Sequence, residues 1–244
     1  MIEHSHCPQL RSLNLSSIPI KGPVVTALAS AIRSNAFIVL EELVMDHCSL
    51  TKESLQHLVL SIMDCHLQLL QTLSLANNHL DSEAMKILVP VLQFSILPSL
   101  KHLNLSENKI GDEGIEVLND KEEEAILNQV ETLDLSDNGI GNEGAFILFD
   151  MIRHKQWKEL RDLNLDKNKF TSVTAVQLRS LLEMDNQLEV LRLSDMTKRR
   201  VGVVPQPPPK ETEYEFSLND LVAEDIVHEV SEKACTTPTA CYVC

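Results

Sequence analysis

Apolar residues recur along this chain with two alternating periods, and the alternation itself repeats. In Leu100-Lys101-His102-Leu103-Asn104-Leu105, Leu103 and Leu105 are two apart, the spacing that sets side chains on one side of a short strand. Past the Gly-Asp-Glu-Gly segment at 111–114 the spacing lengthens. Val25, Leu28 and Ile32 form an i, i+3, i+7 stripe that predicts a helix. The stripe returns as Leu55, Leu58, Ile62; as Met85, Leu88, Leu92; as Ala145, Leu148, Ile152; and as Ala175, Leu178, Leu182. The pattern starts at Leu10, Leu40, Leu70, Leu100, Val130, Leu160 and Leu188, 30 residues apart five times and then 28. Each unit predicts strand, turn, helix and return loop. No unit can bury its own apolar face, so neighbours must stack.

The frame is L-x-x-L-x-L-x-x-N-x-L, a leucine-rich-repeat frame. It is complete at Leu70, Leu73, Leu75, Asn78, Leu80 and again at Leu100, Leu103, Leu105, Asn108, Ile110. It is complete twice more, at Val130, Leu133, Leu135, Asn138, Ile140 and at Leu160, Leu163, Leu165, Asn168, Phe170. With Gly-Asp-Glu-Gly at 111–114, Gly-Asn-Glu-Gly at 141–144 and Cys48 at the asparagine place, the chain resembles the ribonuclease-inhibitor-like subfamily over residues 5–196. The resemblance implies an α/β solenoid: a curved horseshoe with a parallel β-sheet on the concave face and α-helices on the convex face. Members of that group serve as inhibitors, receptor sensor modules, actin regulators and Ran GTPase activators. The resemblance therefore implies protein binding without choosing a partner. The expected division is a solenoid of about seven repeats over 1–196, a proline-containing linker at 197–216, an amphipathic helix at 217–233 and a Cys-containing tail at 234–244.

Asn78, Asn108, Asn138 and Asn168 fall where the backbone turns out of each strand. Their amides are expected to satisfy backbone groups that no ladder reaches, a structural role. Several repeats depart from the frame. The first has Ile18 at the asparagine place, then Pro19, and only nine residues precede Leu10; without a polar cap ahead of it, this is either a degenerate capping repeat or the fragment or alternative start of a longer chain. Pro90 should end or kink the third helix. In the fourth repeat Glu122 stands where phase asks for an apolar residue. It lies in the acidic run Asn119-Asp120-Lys121-Glu122-Glu123-Glu124, either a solvated face or a docking site for a basic partner. Trp157, the only tryptophan, falls in a return loop, where packing near Phe146 or Phe149 is expected.

After Met196 the composition changes. Lys198-Arg199-Arg200 is a short basic run, ordinarily solvated, with nuclear access as the functional alternative. Pro205-Gln206-Pro207-Pro208-Pro209 predicts a stiff linker. Ser217 and Asp220 have capping-box spacing, and Leu218, Leu221, Val222, Ile226 and Val230 form one apolar face. That helix either folds back on the solenoid or enters another protein's groove. Cys241-Tyr242-Val243-Cys244 looks like a prenylation box, departing from it at Tyr242 and Cys244; one lipid on Cys241 would give weak membrane association only.

Charge narrows the partners. Of the formal net charge of −15, residues 1–99 carry −3 (5 bases, 8 acids), residues 100–196 carry −9 (11 bases, 20 acids) and residues 197–244 carry −3 (5 bases, 8 acids). Nucleic acid is disfavoured and a basic protein surface is the complementary partner. There is no 18-residue apolar run and no charged-then-apolar leader at Met1-Ile2-Glu3-His4. The six cysteines (Cys7, Cys48, Cys65, Cys235, Cys241, Cys244) have no paired spacing, which points to reduced thiols and a cytoplasmic setting.

The frame also names the residues facing outward from the sheet. They run in lanes that are small, polar and increasingly acidic, without an aromatic anchor. The candidate partner-binding residues are His102, Asn104, Glu107, Thr132, Asp134, Asp137, Asp162, Asn164, Asp166 and Arg192. His102 beside Ser74 or Thr132 lacks an oxyanion hole, and Asp134, Asp162 and Asp166 lack the enclosing loops of a cation site. No phosphate loop, dinucleotide fingerprint or metalloprotease helix is present, so no cofactor, metal or small-molecule substrate is expected. The reading is a non-catalytic protein-interaction scaffold. The alternatives are a GTPase activator resembling the Ran activator, whose long acidic tail and larger number of repeats are missing here, and a prenylated adaptor.

Overall fold

The computed structural model describes residues 9–34, 36–65, 67–92, 96–119, 126–184 and 188–193. Among these residues, seven three-residue strands alternate with six α-helices. In chain order these are β1 (Ser12–Asn14), α1 (Pro23–Arg33), β2 (Glu42–Val44), α2 (Lys52–Cys65), β3 (Thr72–Ser74), α3 (Ser82–Leu88), β4 (His102–Asn104) and α4 (Gly111–Leu118). They continue with β5 (Thr132–Asp134), α5 (Asn142–Arg153), β6 (Asp162–Asn164), α6 (Ser172–Met184) and β7 (Val190–Arg192). The strands form one open parallel sheet in sequence order. Parallel neighbours require a crossover, and here each crossover is the repeat's own helix. This is the α/β leucine-rich-repeat solenoid that the periodicity predicts.

Register follows the repeat length. Leu13, Leu43, Leu73, Leu103, Leu133, Leu163 and Leu191 sit side by side across the sheet. The five inner leucines are buried, whereas Leu13 and Leu191 at the two ends are only partly so. A single core runs from Leu10 to Leu188 between sheet and helices. Burying one such leucine is worth about 1.5–3 kcal/mol, so each added repeat extends the same core layer by layer.

The helix starts have local causes. Pro23 at the first turn of α1 needs no intrahelical partner for its nitrogen. Asp81 caps α3 by accepting the Ala84 N–H at 2.9 Å. That hydrogen bond is the main reason the Asp81 carboxyl sits below its ordinary value. As expected for Pro90, α3 stops at Leu88 and the chain continues as a 3-10 turn over Val89–Leu92. Trp157 is buried in the core. One helical expectation shifts by a residue: in α6 it is Leu181, not Leu182, that lies buried, and Leu182 is 38% exposed.

The Gly-Asp-Glu-Gly and Gly-Asn-Glu-Gly segments stitch one repeat to the next. Asp112 Oδ1 accepts the Gly141 N–H at 2.6 Å, and Asn142 Oδ1 accepts the Thr171 N–H and the Thr174 hydroxyl, both at 2.8 Å. Gly144 leaves room for that carboxylate, because a Cβ there would lie 2.6 Å from Asp112 Oδ1.

The tail helix 217–233, Cys241, the linker, the basic run and the acidic segment 120–125 lie outside the described residues. Among the described residues no helix is long and apolar enough to cross a membrane, and no group of three His, Cys, Asp or Glu could hold a metal ion.

Candidate functional site

The buried asparagines come first, because they fix everything the sheet displays. Asn78 Oδ1 accepts the N–H groups of Cys48 and Leu50 from the preceding repeat, at 3.0 and 3.3 Å. Its amide donates to Met45 O in that repeat and to Leu75 O and Ala76 O in its own. Asn108 does the same for Asn78, Leu80, Leu75, Leu105 and Ser106. Asn138 and Asn168 continue the series toward β7. At the start, Cys48 keeps only half of the role. Its thiol donates to Leu15 O at 3.0 Å, while Ile20 N–H turns to the Cys48 carbonyl instead. Burial pushes the Cys48 thiol up to about 11, so this sulfur is a packed donor and not a nucleophile.

Because the register is kept from strand to strand, side chains on the sheet line up in rows. The row that opens each strand alternates in sign and compensates itself. Arg11 pairs with Glu41, Lys101 with Glu131 at 2.9 Å and Arg161 with Glu189 at 3.8 Å. The Lys101 contact is also the first reason the Glu131 carboxyl lies below its ordinary value.

The lanes on the strands themselves are largely self-satisfied. Ser12 Oγ donates to Glu42 at 2.8 Å, and His102 Nδ1 lies 2.7 Å from Thr132 Oγ1. Asn14, Asn104, Asp134 and Asn164 each accept the backbone N–H two residues on, holding the chain as it leaves the strand. Asp134 carries three such bonds, from the Ser136 N–H, the Ser136 hydroxyl and the Asn164 amide. Arg192 donates to Asp162 Oδ2 at 2.6 Å. Asp162 is half-buried, and desolvation lifts its carboxyl above the ordinary value, against the pull of Arg192. The structure thus brings His102, Thr132, Asn104, Asp134, Asp162, Asn164 and Arg192 onto one surface. Most of their polar atoms bond each other or the backbone two residues on.

Glu107 and Asp137 occupy a different place. They belong to the turn after each strand, where Ser17, His47, Asn77, Glu107, Asp137 and Lys167 all have left-handed backbone, with φ from 52° to 66°. The N–H groups of Ser17, His47, Asn77, Glu107 and Asp137 each donate to a carbonyl of the next repeat, Glu107 to Ser136 O and Asp137 to Asp166 O, both at 2.9 Å. The row therefore projects as one ridge along the sheet edge, and Glu107 and Asp137 are exposed on it. The sequence signal was there, since the row is the residue immediately before each consensus asparagine. The frame alone does not show that its side chains project together.

Two segments, 97–118 and 128–148, match the family model described as Leucine Rich repeat. Each spans a strand, its asparagine turn and one of the Gly-x-x-Gly helix starts. With seven strands in one parallel register, the fold is that of a leucine-rich-repeat solenoid, and these two segments are similar to the family's repeat. Among solved structures, one of a Bacteroides fragilis protein is 18% identical, with a TM-score of 0.43, covering 71% of this chain and 62% of its own. This chain thus spans less than two thirds of that relative. A structure of leiomodin-1 actin-binding site 2 is 13% identical, with a TM-score of 0.40, covering 72% of this chain and 83% of its own. No curated protein matches the chain. Likeness at this level transfers neither protein's role.

Proposed function

We propose that the chain is a non-catalytic, cytoplasmic protein-binding scaffold of the ribonuclease-inhibitor-like type that recognises a basic protein surface through the acidic turn ridge of its fourth and fifth repeats. The observation that carries this is the contrast between the two sheet edges. The edge before the strands pairs opposite charges across repeats, whereas the ridge after them sets two exposed carboxylates, Glu107 and Asp137, in adjacent repeats, with Glu107 accepting the Asn77 amide at 2.9 Å. Leucine-rich repeats serve widely as protein-binding modules, and the matched segments lie in these two repeats. Half-buried Asp166 flanks the ridge. A surface of small polar groups and carboxylates without aromatic anchors suits a salt-sensitive contact whose charges speed and steer association.

The test is the double reversal Glu107→Lys with Asp137→Lys. Lysine fits the required backbone, because Lys167 already holds it at φ 57°. The wild-type chain should retain basic proteins at low salt, on the order of 0.05 M, and release them near 0.5 M, as screening shortens the reach of charge. The reversed chain should fold alike and retain none of them. Equal retention by both chains would move the site off the ridge.

A further inference from the structure

The fifth repeat covers one flank of the sixth; on the other, among the described residues, β7 covers the strand but no helix follows α6. Residues in equal phase make this visible. Ile140 and Ile152 are 0% and 6% exposed beneath the repeat that follows them, while their equivalents Phe170 and Leu182 are partly and 38% exposed. Leu163 and Leu165 are fully buried, and their equivalents Leu191 and Leu193 are only partly so. Ser172 stands where Asn142 binds the next repeat. The frame assigns the next helix to residues 200–212, which include Pro205, Pro207, Pro208 and Pro209. An interior proline costs a helix about 3 kcal/mol, so those residues are not suited to cover the flank.

We propose that residues 217–233 of the same chain dock as a helix on this flank, setting Leu218, Leu221, Val222, Ile226 and Val230 against Phe170, Leu182, Leu191 and Leu193. Reach allows it. From Leu193 to Ser217 are 24 residues (217 − 193); at about 3.1 Å per residue in extended proline-rich chain that spans roughly 74 Å. The 13-residue α6 is only ~20 Å long. Charge favours the sixth repeat over the fourth and fifth. The segment 217–233 carries five acids (Asp220, Glu224, Asp225, Glu229, Glu232) and one lysine, Lys233. Residues 100–129 carry 8 acids and 3 bases, and 130–159 carry 6 and 3, so both repel it; residues 160–187 balance 4 acids with 4 bases. Docking covers a face whose exposed leucines water would otherwise meet, and it shields the open edge of β7.

The test is hydrogen exchange on the full 244-residue chain, and it needs no partner, so its outcome is separate from that of the binding ridge. Amides of 217–233 should exchange at least about tenfold more slowly in the wild type than in Ile226→Asp. Leu182→Asp, at an already exposed position, should release them equally, and Val173→Asp, 68% exposed on the outer face of α6, should not. Protection should be unchanged over a roughly hundredfold range of protein concentration. Tail amides exchanging at unstructured rates in the wild type would overturn the proposal. So would protection indifferent to Leu182→Asp, and protection rising with concentration would give the flank to a second copy.

Discussion

Asn108 Oδ1 accepts the backbone N–H of Asn78 at 2.9 Å, as Asn168 Oδ1 accepts that of Asn138 at 3.0 Å, so one asparagine of the ladder holds the one before it in place. The link is directional. The acceptor oxygen of a later repeat satisfies the turn of an earlier one, and the same oxygen takes the Leu80 N–H at 3.0 Å. The donors and acceptors around this side chain are not equally vulnerable. Leu75 O receives both the Asn78 and Asn108 amides, and Leu105 O receives both Asn108 and Asn138. Loss of one amide leaves each carbonyl a partner. The two N–H groups have no such reserve.

Asn108→Ala should therefore destabilise the solenoid by about 3 kcal/mol, since each buried N–H left unpaired costs roughly 1–3 kcal/mol. Asn104→Ala removes only the Ser106 N–H acceptor at a part-exposed position and should cost about 1 kcal/mol or less. Urea midpoints followed by circular dichroism measure both. Equal, small losses at the two positions would mean that the ladder is not what holds the turns.

Gly144→Ala tests the stitch between the fourth and fifth repeats. The new Cβ would lie 2.6 Å from Asp112 Oδ1, 2.9 Å from Ile140 Cγ2 and 3.1 Å from the Asp112 backbone. Alanine gains about 1 kcal/mol of helix propensity over glycine, but overpacking costs roughly 1–3 kcal/mol, and a backbone neighbour cannot rotate away. A net loss of about 1 kcal/mol is expected. In the Asp112→Ala background the oxygen is gone, so the loss from Gly144→Ala should shrink, and the double-mutant cycle should show coupling of at least about 0.5 kcal/mol. Strictly additive losses would remove the carboxylate from the account.

The repeat boundaries, the sheet and the asparagine turns were legible because each rests on period and residue type alone. Leu103 and Leu105 declare a strand, and Asn108 declares the turn. Three features were not legible, for physical reasons. Leu181 rather than Leu182 is buried, because among the described residues no helix follows α6 to cover the second of the two adjacent leucines. The spending of Asp134 on Ser136 and Asn164 depends on side-chain placement across neighbouring repeats. The projection of Glu107 and Asp137 depends on a positive φ that non-glycine residues rarely disclose.

Asp162 offers the clearest pH signature. Its Oδ2 meets Arg192, while Oδ1 is buried without a hydrogen-bond partner among the described residues. Desolvation, aided by the nearby Asp134 charge, raises the carboxyl above the ordinary 3.8, and Arg192 offsets only part of that. A folded-state value above the unfolded one contributes stability that is fully present below the unfolded value and lost as pH rises through the folded one. The ionised carboxylate at neutral pH is thus a cost that acid relieves. Asp162→Asn keeps an acceptor for Arg192 without the buried charge, so it should match or exceed the wild type in urea midpoint near pH 7. That advantage should fade on acidification through and below the ordinary carboxylate range, as the wild-type carboxyl takes up its proton. Arg192→Ala should act oppositely, costing more near pH 7 than near pH 4, because it strips the offsetting charge from a carboxylate that remains half-buried. An Asp162→Asn chain weaker than the wild type near pH 7 would show that the ion pair with Arg192 outweighs desolvation.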